Sequence, residues 1–221
     1  MSVMPERTAA GSGWFAVLPD CEAARGAASI LGRAATRIVE HASGRPWLVG
    51  QWADDEVVVA TVGDARVAAV GPTPPTEARL AAFVREGDAL GSLDRIGANL
   101  TGSCHLLASK ECRLRSQGTA SGLRRLFSAR VAGVVVACDR SDVLASAIDA
   151  GIDERLVALP LMDPLIPHPL GERPLWRGVS AVPAGTALLT DFSGNARTRR
   201  WRHAHAGPTT NTTTLGSEAT A

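Results

Sequence analysis

The sequence predicts an α+β fold in which two mostly antiparallel β-sheets lie face to face between outer layers of helix, as a four-layer α-β-β-α sandwich. Two observations favour this fold class. Short strand-like runs occur in both halves of the chain, and amphipathic helical segments flank them. The chain has 221 residues, of which 45% are hydrophobic, so it can bury a full core as one sizeable domain.

Composition and charge exclude several classes of protein. The formal net charge is +1, which implies no polyanionic partner such as a nucleic acid. The four cysteines, Cys21, Cys104, Cys112 and Cys138, have neither Cys-x-x-Cys spacing nor the density of a disulfide framework, which is typical of a reducing cytoplasm. No run reaches membrane-spanning length and no apolar segment follows the early charges. We therefore expect a soluble, cytoplasmic protein with no membrane partner.

The first half of the chain predicts strands around one long helix. A strand at residues 14–18 precedes a helix from Asp20 to about His41, whose apolar residues recur at helical spacing. Gly44-Arg45-Pro46 ends that helix. Strands are predicted next at residues 47–52, 57–62 and 66–70, and helices at residues 76–85 and 93–100.

The stretch from residue 100 to residue 145 predicts three short strands and a helix. Residues 105–108 form an apolar run, and residues 112–117 alternate as in a half-exposed strand, with Arg113, Arg115 and Gln117 as its polar face. After turn-forming residues 117–122, a second strand opens at Leu126-Phe127. The run 131–137 is apolar on both faces, which predicts a central, fully covered strand, and residues 139–141 can cap the helix that follows.

The remaining segments set the predicted domain boundaries. A helix is expected from about residue 153 to Met162, then a proline-rich crossing segment, then a hairpin over residues 179–201 with Ser193-Gly194-Asn195 at its tip. Residues 14–202 are predicted to be one domain. Residues 1–13 are predicted to be a flexible N-terminus, and residues 203–221, rich in Gly, Pro, Thr, Asn and Ser, a disordered tail or linker remnant.

Several short motifs follow one another in the order seen in asparagine synthetases. Gly102-Ser103-Cys104-His105-Leu106 resembles that family's Gly-x-Phe-Ala-Phe, and residues 118–127 resemble its Arg-Asp-x-x-Gly-x-x-Pro-Leu-Tyr, with Gly118-Thr119 in place of the Arg-Asp pair. The further matching motifs are Val136-Ala137-Cys138-Asp139, Leu175-Trp176-Arg177-Gly178-Val179, Val182-Pro183-Ala184-Gly185-Thr186 and Arg199-Arg200-Trp201. The chain therefore resembles, over about residues 14–202, the N-terminal glutaminase-type domain of that family, and this implies an Ntn-hydrolase (class II glutamine amidotransferase) topology.

Within that family, the divergent motifs resemble those of macrolactam-forming cyclases of lasso-peptide pathways and of β-lactam synthetases. Such enzymes join a carboxylate to an amine after adenylation by ATP and use no ammonia from glutamine. The resemblance implies two partners for this chain: an ATP-dependent synthetase domain or subunit, and a precursor peptide. ATP and Mg²⁺ are implied for that synthetase domain, which is expected to be supplied elsewhere, and no cofactor is implied for this chain.

The residues that a glutaminase of this family needs are missing from the sequence. Such an enzyme uses an N-terminal cysteine whose own α-amine is the base. Ser12 takes that place before the first strand but is internal, and Ser2 precedes Pro5-Glu6-Arg7 instead of a strand. The family's oxyanion-binding Asn-Gly-Glu is represented by Val70-Gly71-Pro72, whose side chains have no polar group. Cys21 is interpreted as a helix-start residue without a base partner.

Other candidates are better explained without chemistry, so no catalytic, cofactor-binding or metal-binding residue is assigned. Ser121-Gly122-Leu123 and Ser193-Gly194-Asn195 share two letters with the Ser-Gly-Gly-x-Asp-Ser pyrophosphate loop, but turns explain both. His203 and His205 lack a further ligand, and His105 is interpreted as a satisfied strand residue. The arginine clusters, Arg124-Arg125 and Arg197, Arg199 and Arg200, are typical of solvated strand edges, with contact to a partner as the alternative.

The leading hypothesis is an amidotransferase-like domain without glutaminase activity, which acts as a structural or peptide-positioning partner of an ATP-dependent amide ligase. The chain alone is then inactive. Two alternatives stay open: an active glutamine-dependent amidotransferase of the asparagine synthetase type, and a stand-alone peptide-binding module.

Overall fold

Two stacked six-stranded sheets form the centre of the molecule. The computed structural model describes residues 13–100, 102–162 and 172–202, with backbone alone for residues 159–162. Residues 1–12, the middle of the proline-rich segment and the predicted tail 203–221 lie outside the described residues, so the predictions made for them are not tested. No helix among the described residues is long and apolar enough to cross a membrane.

Twelve strands and five α-helices make up the described chain. The strands are β1 (Trp14–Val17), β2 (Arg37–Glu40), β3 (Pro46–Gln51), β4 (Val57–Val62), β5 (Ala65–Val70), β6 (His105–Lys110), β7 (Arg113–Gln117), β8 (Leu126–Val131), β9 (Val134–Cys138), β10 (Val179–Val182), β11 (Thr186–Thr190) and β12 (Ala196–Arg200). The helices are α1 (Arg25–Gly32), α2 (Glu77–Arg85), α3 (Ala89–Asn99), α4 (Ser141–Ala147) and α5 (Glu154–Met162), with a short 3-10 helix at Glu22–Ala24.

The predicted four-layer α-β-β-α sandwich is confirmed. The first sheet has the order β10-β8-β9-β1-β3-β2 and the second the order β12-β11-β7-β6-β5-β4, and neighbouring strands are antiparallel. One core cluster lies between the first sheet and the helices α1 and α4, and another between the second sheet and α2 and α3. A third fills the space between the sheets, where Phe15 and Leu48 of the first sheet meet Leu107 and Leu188 of the second. The predicted central strand is β9, which lies between β8 and β1.

The prediction of a long helix from Asp20 to His41 is wrong for the second half of that range. Helix α1 ends at Gly32, and Arg37–Glu40 is the edge strand β2. Ile38 and Val39 are β-branched, which favours extended backbone, and they pair with Val49 and Leu48 of β3. The helical spacing of the apolar residues continued past Gly32, but pairing with β3 decided the conformation.

Two other segments differ from their predicted boundaries. The apolar run 131–137 is interrupted by a tight turn at Ala132 and Gly133, whose φ angles are 46° and 91°, so Val131 belongs to β8. The predicted hairpin over residues 179–201 is formed only by β11 and β12. Its first part, β10, pairs with β8, so the chain crosses from the first sheet to the second between Val182 and Thr186.

The prediction that residues 112–117 form a half-exposed strand is also wrong. Arg115 and Gln117 of β7 are buried beneath α3, with exposed fractions of 1% and 0%. The Arg115 guanidinium donates to the carbonyl of Leu90 at 2.8 Å and pairs with the carboxylate of Asp94. Arg115 and Gln117 are therefore covered by a helix that supplies their hydrogen-bond acceptors, while Arg113 stays exposed.

Candidate functional site

The ends of several strands surround a cavity at the edge of the sandwich where β1 begins. Its volume is about 540 Å³. It is lined by Gly13, Trp14 and Phe15 at the start of β1, by Thr36, Gln51, Trp52, Ala53 and Glu56 around β2, β3 and β4, and by Val70, Gly71, His105, Arg124 and Asp139. The resemblance places the active site of an N-terminal-nucleophile enzyme at this end of the first strand. Ser12, the residue before Gly13, lies outside the described residues.

Asp139 is a buried carboxylate in the wall of this cavity. It follows β9, and its Oδ1 accepts a hydrogen bond of 2.9 Å from the backbone N–H of Phe15 on β1. Burial raises the pKa of Asp139 to about 6, although this hydrogen bond favours the ionised form. The N-cap residue of α4 is Arg140, without a side-chain capping bond, so Asp139 holds the start of β1 and does not cap the helix.

His105 lies at the start of β6 and faces the space between the sheets. Its ring meets the ring of Phe15 edge to face, with 4.9 Å between centroids. Its Nε2 lies 3.0 Å from the carbonyl oxygen of Arg125, which can only accept, so Nε2 carries the proton. Burial lowers the pKa of His105 to about 4, and the imidazole is neutral at physiological pH. The structure thus places His105 as a hydrogen-bonded strand residue, as the sequence predicts.

The segment that corresponds to the family's oxyanion-binding residues has no free donor. Val70 and Gly71 line the cavity. The backbone N–H of Gly71 donates to the carbonyl oxygen of Glu56 at 2.9 Å, and Pro72 has no N–H. An oxyanion needs donors aimed at the place where the charge develops. Because the Gly71 amide is already bonded to protein and Pro72 has no N–H, neither of these residues offers a backbone donor to an oxyanion in the described conformation.

Charged groups of both signs line the cavity. The Glu56 carboxylate accepts from the backbone N–H of Ala53 at 2.9 Å. Arg124 lies in the loop between β7 and β8, and its buried Nε has no hydrogen-bond partner in the described part of the chain. Its positive charge contributes to the lowered pKa of His105. Thr36 carries the only side-chain hydroxyl among the described lining residues, and none of them is a cysteine. The described lining residues therefore include polar and charged groups but no activated nucleophile.

The other sequence-derived candidates do not gather at this cavity. Cys21 is the N-cap of the 3-10 helix Glu22–Ala24, as predicted for a helix-start residue. Ser193-Gly194-Asn195 forms the turn between β11 and β12, where the Asp191 carboxylate accepts from the backbone N–H groups of Ser193 and Asn195. No cluster of His, Cys, Asp and Glu within the described ranges could hold a metal ion. His203 and His205 lie outside those ranges.

Three cavity residues have no signal in the sequence as site residues. Thr36 and Glu56 lie just before β2 and β4, in segments that carry no recognisable motif. Asp139 belongs to a matched motif, but the sequence favours a capping role for it. Strand pairing and the stacking of the two sheets bring these positions together, because β9 and β2 lie in the first sheet with β1 and β3, and β4 lies in the second.

Asp139 should make the stability of the protein depend on pH in a characteristic direction. Its pKa rises on folding, so between about pH 4 and pH 6 the folded state binds more protons than the unfolded state, and stability falls as the pH rises. Asp139→Asn keeps an acceptor for Phe15 N–H and removes the buried charge. We expect Asp139→Asn to be more stable than wild type by about 1–2 kcal/mol at pH 7, and by much less at pH 4.

Urea denaturation of wild type and Asp139→Asn from pH 4 to pH 8 measures the difference in their free energies of unfolding. The histidines are the same in both proteins, so their contributions cancel in this difference. Asp142→Asn is the matched control. The hydrogen bond and ion pair from Arg140 lower the pKa of Asp142, so removal of its charge should give no gain over the same range. If the stability difference between Asp139→Asn and wild type were the same at pH 4 and pH 7, the pKa of Asp139 would not be raised by folding, and the assignment would be contradicted.

Comparisons with known proteins find similarity at the level of the fold. No protein-family model matches the chain, and no curated protein matches it. One similar solved structure is glutamine phosphoribosylpyrophosphate (PRPP) amidotransferase from B. subtilis complexed with ADP and GMP, with 11% identity and a TM-score of 0.49. Another is described as the allosteric regulatory enzyme of purine biosynthesis, with 12% identity and a TM-score of 0.50.

Both matches cover 86% of this chain and 49% of the solved chain, so this chain spans about half the length of the structures it matches. At such low identity the likeness shows the fold alone. The second of these structures shares the two-sheet fold of this chain, in agreement with the stacked-sheet architecture predicted from the sequence.

Proposed function

We propose that this chain is an amidotransferase-like domain without glutaminase activity, and that it serves an asparagine-synthetase-like, ATP-dependent amide-bond-forming enzyme of the macrolactam (lasso-peptide) cyclase type. Its role is to pack against the ligase domain and to help position the precursor peptide. ATP and Mg²⁺ belong to that ligase domain in this proposal, and this chain needs no cofactor of its own. In this proposal residues 14–202 are the amidotransferase-like domain, residues 1–13 are a flexible N-terminus, and residues 203–221 are a disordered tail or linker remnant.

The observation that carries the proposal is the state of the cavity at the start of β1. The backbone N–H of Gly71 is bonded to the Glu56 carbonyl, and neither Val70 nor Pro72 offers a polar side chain. The cavity nevertheless remains open, with a volume of about 540 Å³. A fold that keeps this cavity but lacks the oxyanion donors is consistent with a domain that binds or supports without hydrolysing.

A patch of exposed apolar side chains supports a role beside a partner domain. Ile152, Val157 and Leu175 are 47%, 38% and 44% exposed. They belong to one region, because Ile152 forms a β-bridge with Trp176 and the carbonyl of Leu175 accepts from the backbone N–H of Asp153 just before α5. Clustered apolar surface on a soluble domain typically marks an interaction site. We assign this patch to the ligase domain.

Ammonia release from glutamine tests the loss of hydrolysis. We expect the full chain to release no ammonia above background, and Ser12→Ala and Ser2→Ala to leave that background unchanged. If the wild-type chain releases ammonia and one of these substitutions abolishes that release, the alternative, a glutamine-dependent amidotransferase, is established. Binding of precursor peptide by this chain, without any association with a ligase domain, would instead favour the stand-alone peptide-binding module.

Association with a separately produced ligase domain that carries Ser-Gly-Gly-x-Asp-Ser tests the partnership. We expect co-elution on size exclusion and faster cyclisation of the precursor peptide when this chain is added. Leu175→Asp should weaken the association at least about tenfold, because it places a charge in the buried contact. Phe192→Asp is the matched control, since Phe192 is 72% exposed at the turn between β11 and β12. Unchanged cyclisation and no co-elution would remove the proposal.

A further inference from the structure

The strand β12 forms one edge of the second sheet. It pairs with β11 on one side, and no described strand lies on its other side. Its last four residues, 197–200, are all exposed. The arginine cluster of this strand is the one for which the sequence favours a solvated edge and leaves contact with a partner as the alternative.

The register of the hairpin determines which backbone groups of β12 bond to β11. At one end the N–H of Asp191 donates to the carbonyl of Asn195 at 2.9 Å, and at the other the N–H of Trp201 donates to the carbonyl of Gly185 at 2.9 Å. Both pairs continue the register that joins the two strands. Hydrogen-bonded pairs alternate with unbonded pairs in an antiparallel ladder, so the odd-numbered residues of β12 bond to β11.

The even-numbered residues of β12 present their backbone to the open edge. The N–H and C=O groups of Thr198 and Arg200 point away from β11, and no described residue bonds to them. A row of unpaired donors and acceptors on an exposed edge is a template for one more strand. An extended peptide that adds to this edge would bond to Thr198 and Arg200.

The side chains of β12 bring a surplus of positive charge to the same edge. Arg199 is 53% exposed and donates to the carboxylate of Asp94 at 2.8 Å, but Asp94 also pairs with the buried Arg115. The side chains of Arg197 and Arg200 form no hydrogen bond or ion pair with the described residues. Two arginines of this strand are therefore without a carboxylate partner, and the third shares its partner.

A cavity beside β12 gives room for further side chains on the α3 side of the sheet. Its volume is about 500 Å³, and Arg197, Arg199 and the apolar Leu189 are among its lining residues. Two carboxylates also line it, and backbone N–H groups occupy both. Asp88 accepts from the first turn of α3, and Asp191 accepts from the turn after β11. Carboxylates of an added strand can enter this space and reach the arginines.

A second copy of β12 is a poor partner for this edge. Two antiparallel copies that bond through Thr198 and Arg200 bring arginines into opposition in every register: Arg197 against Arg199, Arg199 against Arg199, or Arg200 against Arg200. Like charges directly opposite each other in a ladder are destabilising. The arginines thus disfavour self-association at the edge that the backbone leaves open.

An acidic strand meets the opposite situation, because each cross-strand pair of opposite charge is favourable. Every neighbouring pair of strands in the two sheets is antiparallel, and we expect the same of an added strand. From its N-terminal end, such a strand places successive residues opposite positions 200, 199, 198 and 197. Carboxylates opposite the three arginines then give the pattern acidic-acidic-x-acidic.

We propose that β12 is a docking edge for an extended acidic peptide segment, which adds to the second sheet as one more antiparallel strand. The backbone of this segment bonds to Thr198 and Arg200, and its carboxylates lie opposite Arg197, Arg199 and Arg200. This inference does not rest on the proposed function, because β12 contributes no residue to the cavity at the start of β1.

Hydrogen exchange of backbone amides tests the open edge in the full chain. In the free protein, ¹H–¹⁵N spectra should show fast exchange for Thr198 and Arg200, and slower exchange for Arg197 and Arg199, which bond to β11. Slow exchange at Thr198 and Arg200 without any peptide would show that another segment of the chain or a second copy already covers the edge, and the proposal would then be wrong.

Titration with matched peptides tests the kind of partner. The probe is acetyl-Thr-Glu-Glu-Val-Glu-Thr-amide, and its control has glutamine in place of the three glutamates. We expect the acidic peptide to slow exchange at Thr198 and Arg200, and the glutamine peptide to bind about tenfold more weakly at low salt. Methylation of the valine nitrogen, which faces Thr198, should prevent binding. Equal binding of both peptides, or no binding of the acidic peptide up to about 10 mM, would overturn the proposal.

Two variants separate the backbone contact from the charges. Thr198→Pro keeps all three arginines and removes an N–H that does not bond to β11, and Arg197→Gln/Arg200→Gln keeps the backbone and removes two charges. Each should weaken binding of the acidic peptide about fivefold to tenfold, with an unchanged unfolding temperature. Arg85→Gln is the matched control, since Arg85 is exposed on α2, which packs on β4 at the opposite edge of the sheet. Wild-type affinity in Thr198→Pro would show attraction by charge alone and would exclude an added strand.

Discussion

Replacement of Asp94 by alanine is expected to lower the free energy of unfolding by about 3–5 kcal/mol. Asp94 lies on α3, and its carboxylate pairs with Arg115 of β7 and accepts from Arg199 of β12 at 2.8 Å. The Arg115 side chain is 1% exposed, so its charge cannot regain water when the carboxylate is removed. Urea denaturation followed by circular dichroism at pH 7 measures the loss.

Three comparison variants separate the buried charge from the contact itself. Arg115→Met replaces the guanidinium by apolar atoms of similar length and should cost less than about 2 kcal/mol, because no charge stays buried. The double variant Asp94→Ala/Arg115→Met should then be more stable than Asp94→Ala alone. Glu86→Ala breaks the exposed Glu86–Arg95 pair, which spans 3.4 Å, and should cost less than about 1 kcal/mol. Equal losses for Asp94→Ala and Glu86→Ala would contradict the assignment.

The buried arginine shows why the sequence alone predicts the strand β7 but not its surroundings. Alternation identifies residues 113–117 as extended, yet it cannot tell whether the polar face meets water or a helix. Arg115 and Gln117 find their partners in Leu90, Leu93 and Asp94, more than twenty residues earlier on α3. Contacts at such separation depend on how α3 packs, which no local pattern specifies.

The elements that the sequence predicts best are those in which local preference and packing agree. The strands β4 and β5 and the helix α2 occur where predicted, and β9 is the covered strand that its apolar run indicates. The prediction fails for the segment after Gly32, because helical spacing and β-branched residues favour different structures there. Pairing with β3 decides between them. Local patterns did not predict the order of the strands in the two sheets, which depends on contacts between distant segments.

The candidate site is less predictable than the fold, for a geometric reason. Its lining residues come from the ends of β1, β3, β5, β6 and β9, from the residues before β2 and β4, and from Arg124 in the loop between β7 and β8. Each segment contributes one to three residues near a strand end or a loop, where local sequence carries little information about the site. Gly71 illustrates this, because its N–H is occupied by the carbonyl of Glu56, which lies opposite Gly71 at the open end of the β4–β5 hairpin.

Replacement of His41 by alanine is expected to lower the free energy of unfolding by about 3–5 kcal/mol. His41 is fully buried and connects the two sheets: its Nδ1 lies 2.7 Å from the hydroxyl of Ser109 on β6, and its Nε2 lies 3.1 Å from the carbonyl of Leu18 after β1. The Leu18 carbonyl can only accept, so Nε2 carries the proton and Nδ1 accepts from Ser109. Alanine leaves both partners buried without a bond and opens a cavity beside Trp47, whose ring centroid is 5.9 Å away.

A double-mutant cycle and a pH series test this connection. His41→Leu fills the space but leaves the Ser109 hydroxyl unsatisfied, so His41→Leu/Ser109→Ala should cost less than the sum of the single changes by about 1 kcal/mol. Burial lowers the pKa of His41 in the folded state below its usual 6.5, so the unfolded state takes up the proton first and this contribution is lost as the pH falls below about 6.5. His41→Leu should therefore lose less stability than wild type between pH 7 and pH 5, while His105 acts equally in both proteins. Additive losses in the cycle, together with an unchanged pH dependence, would show that the imidazole does not join the sheets.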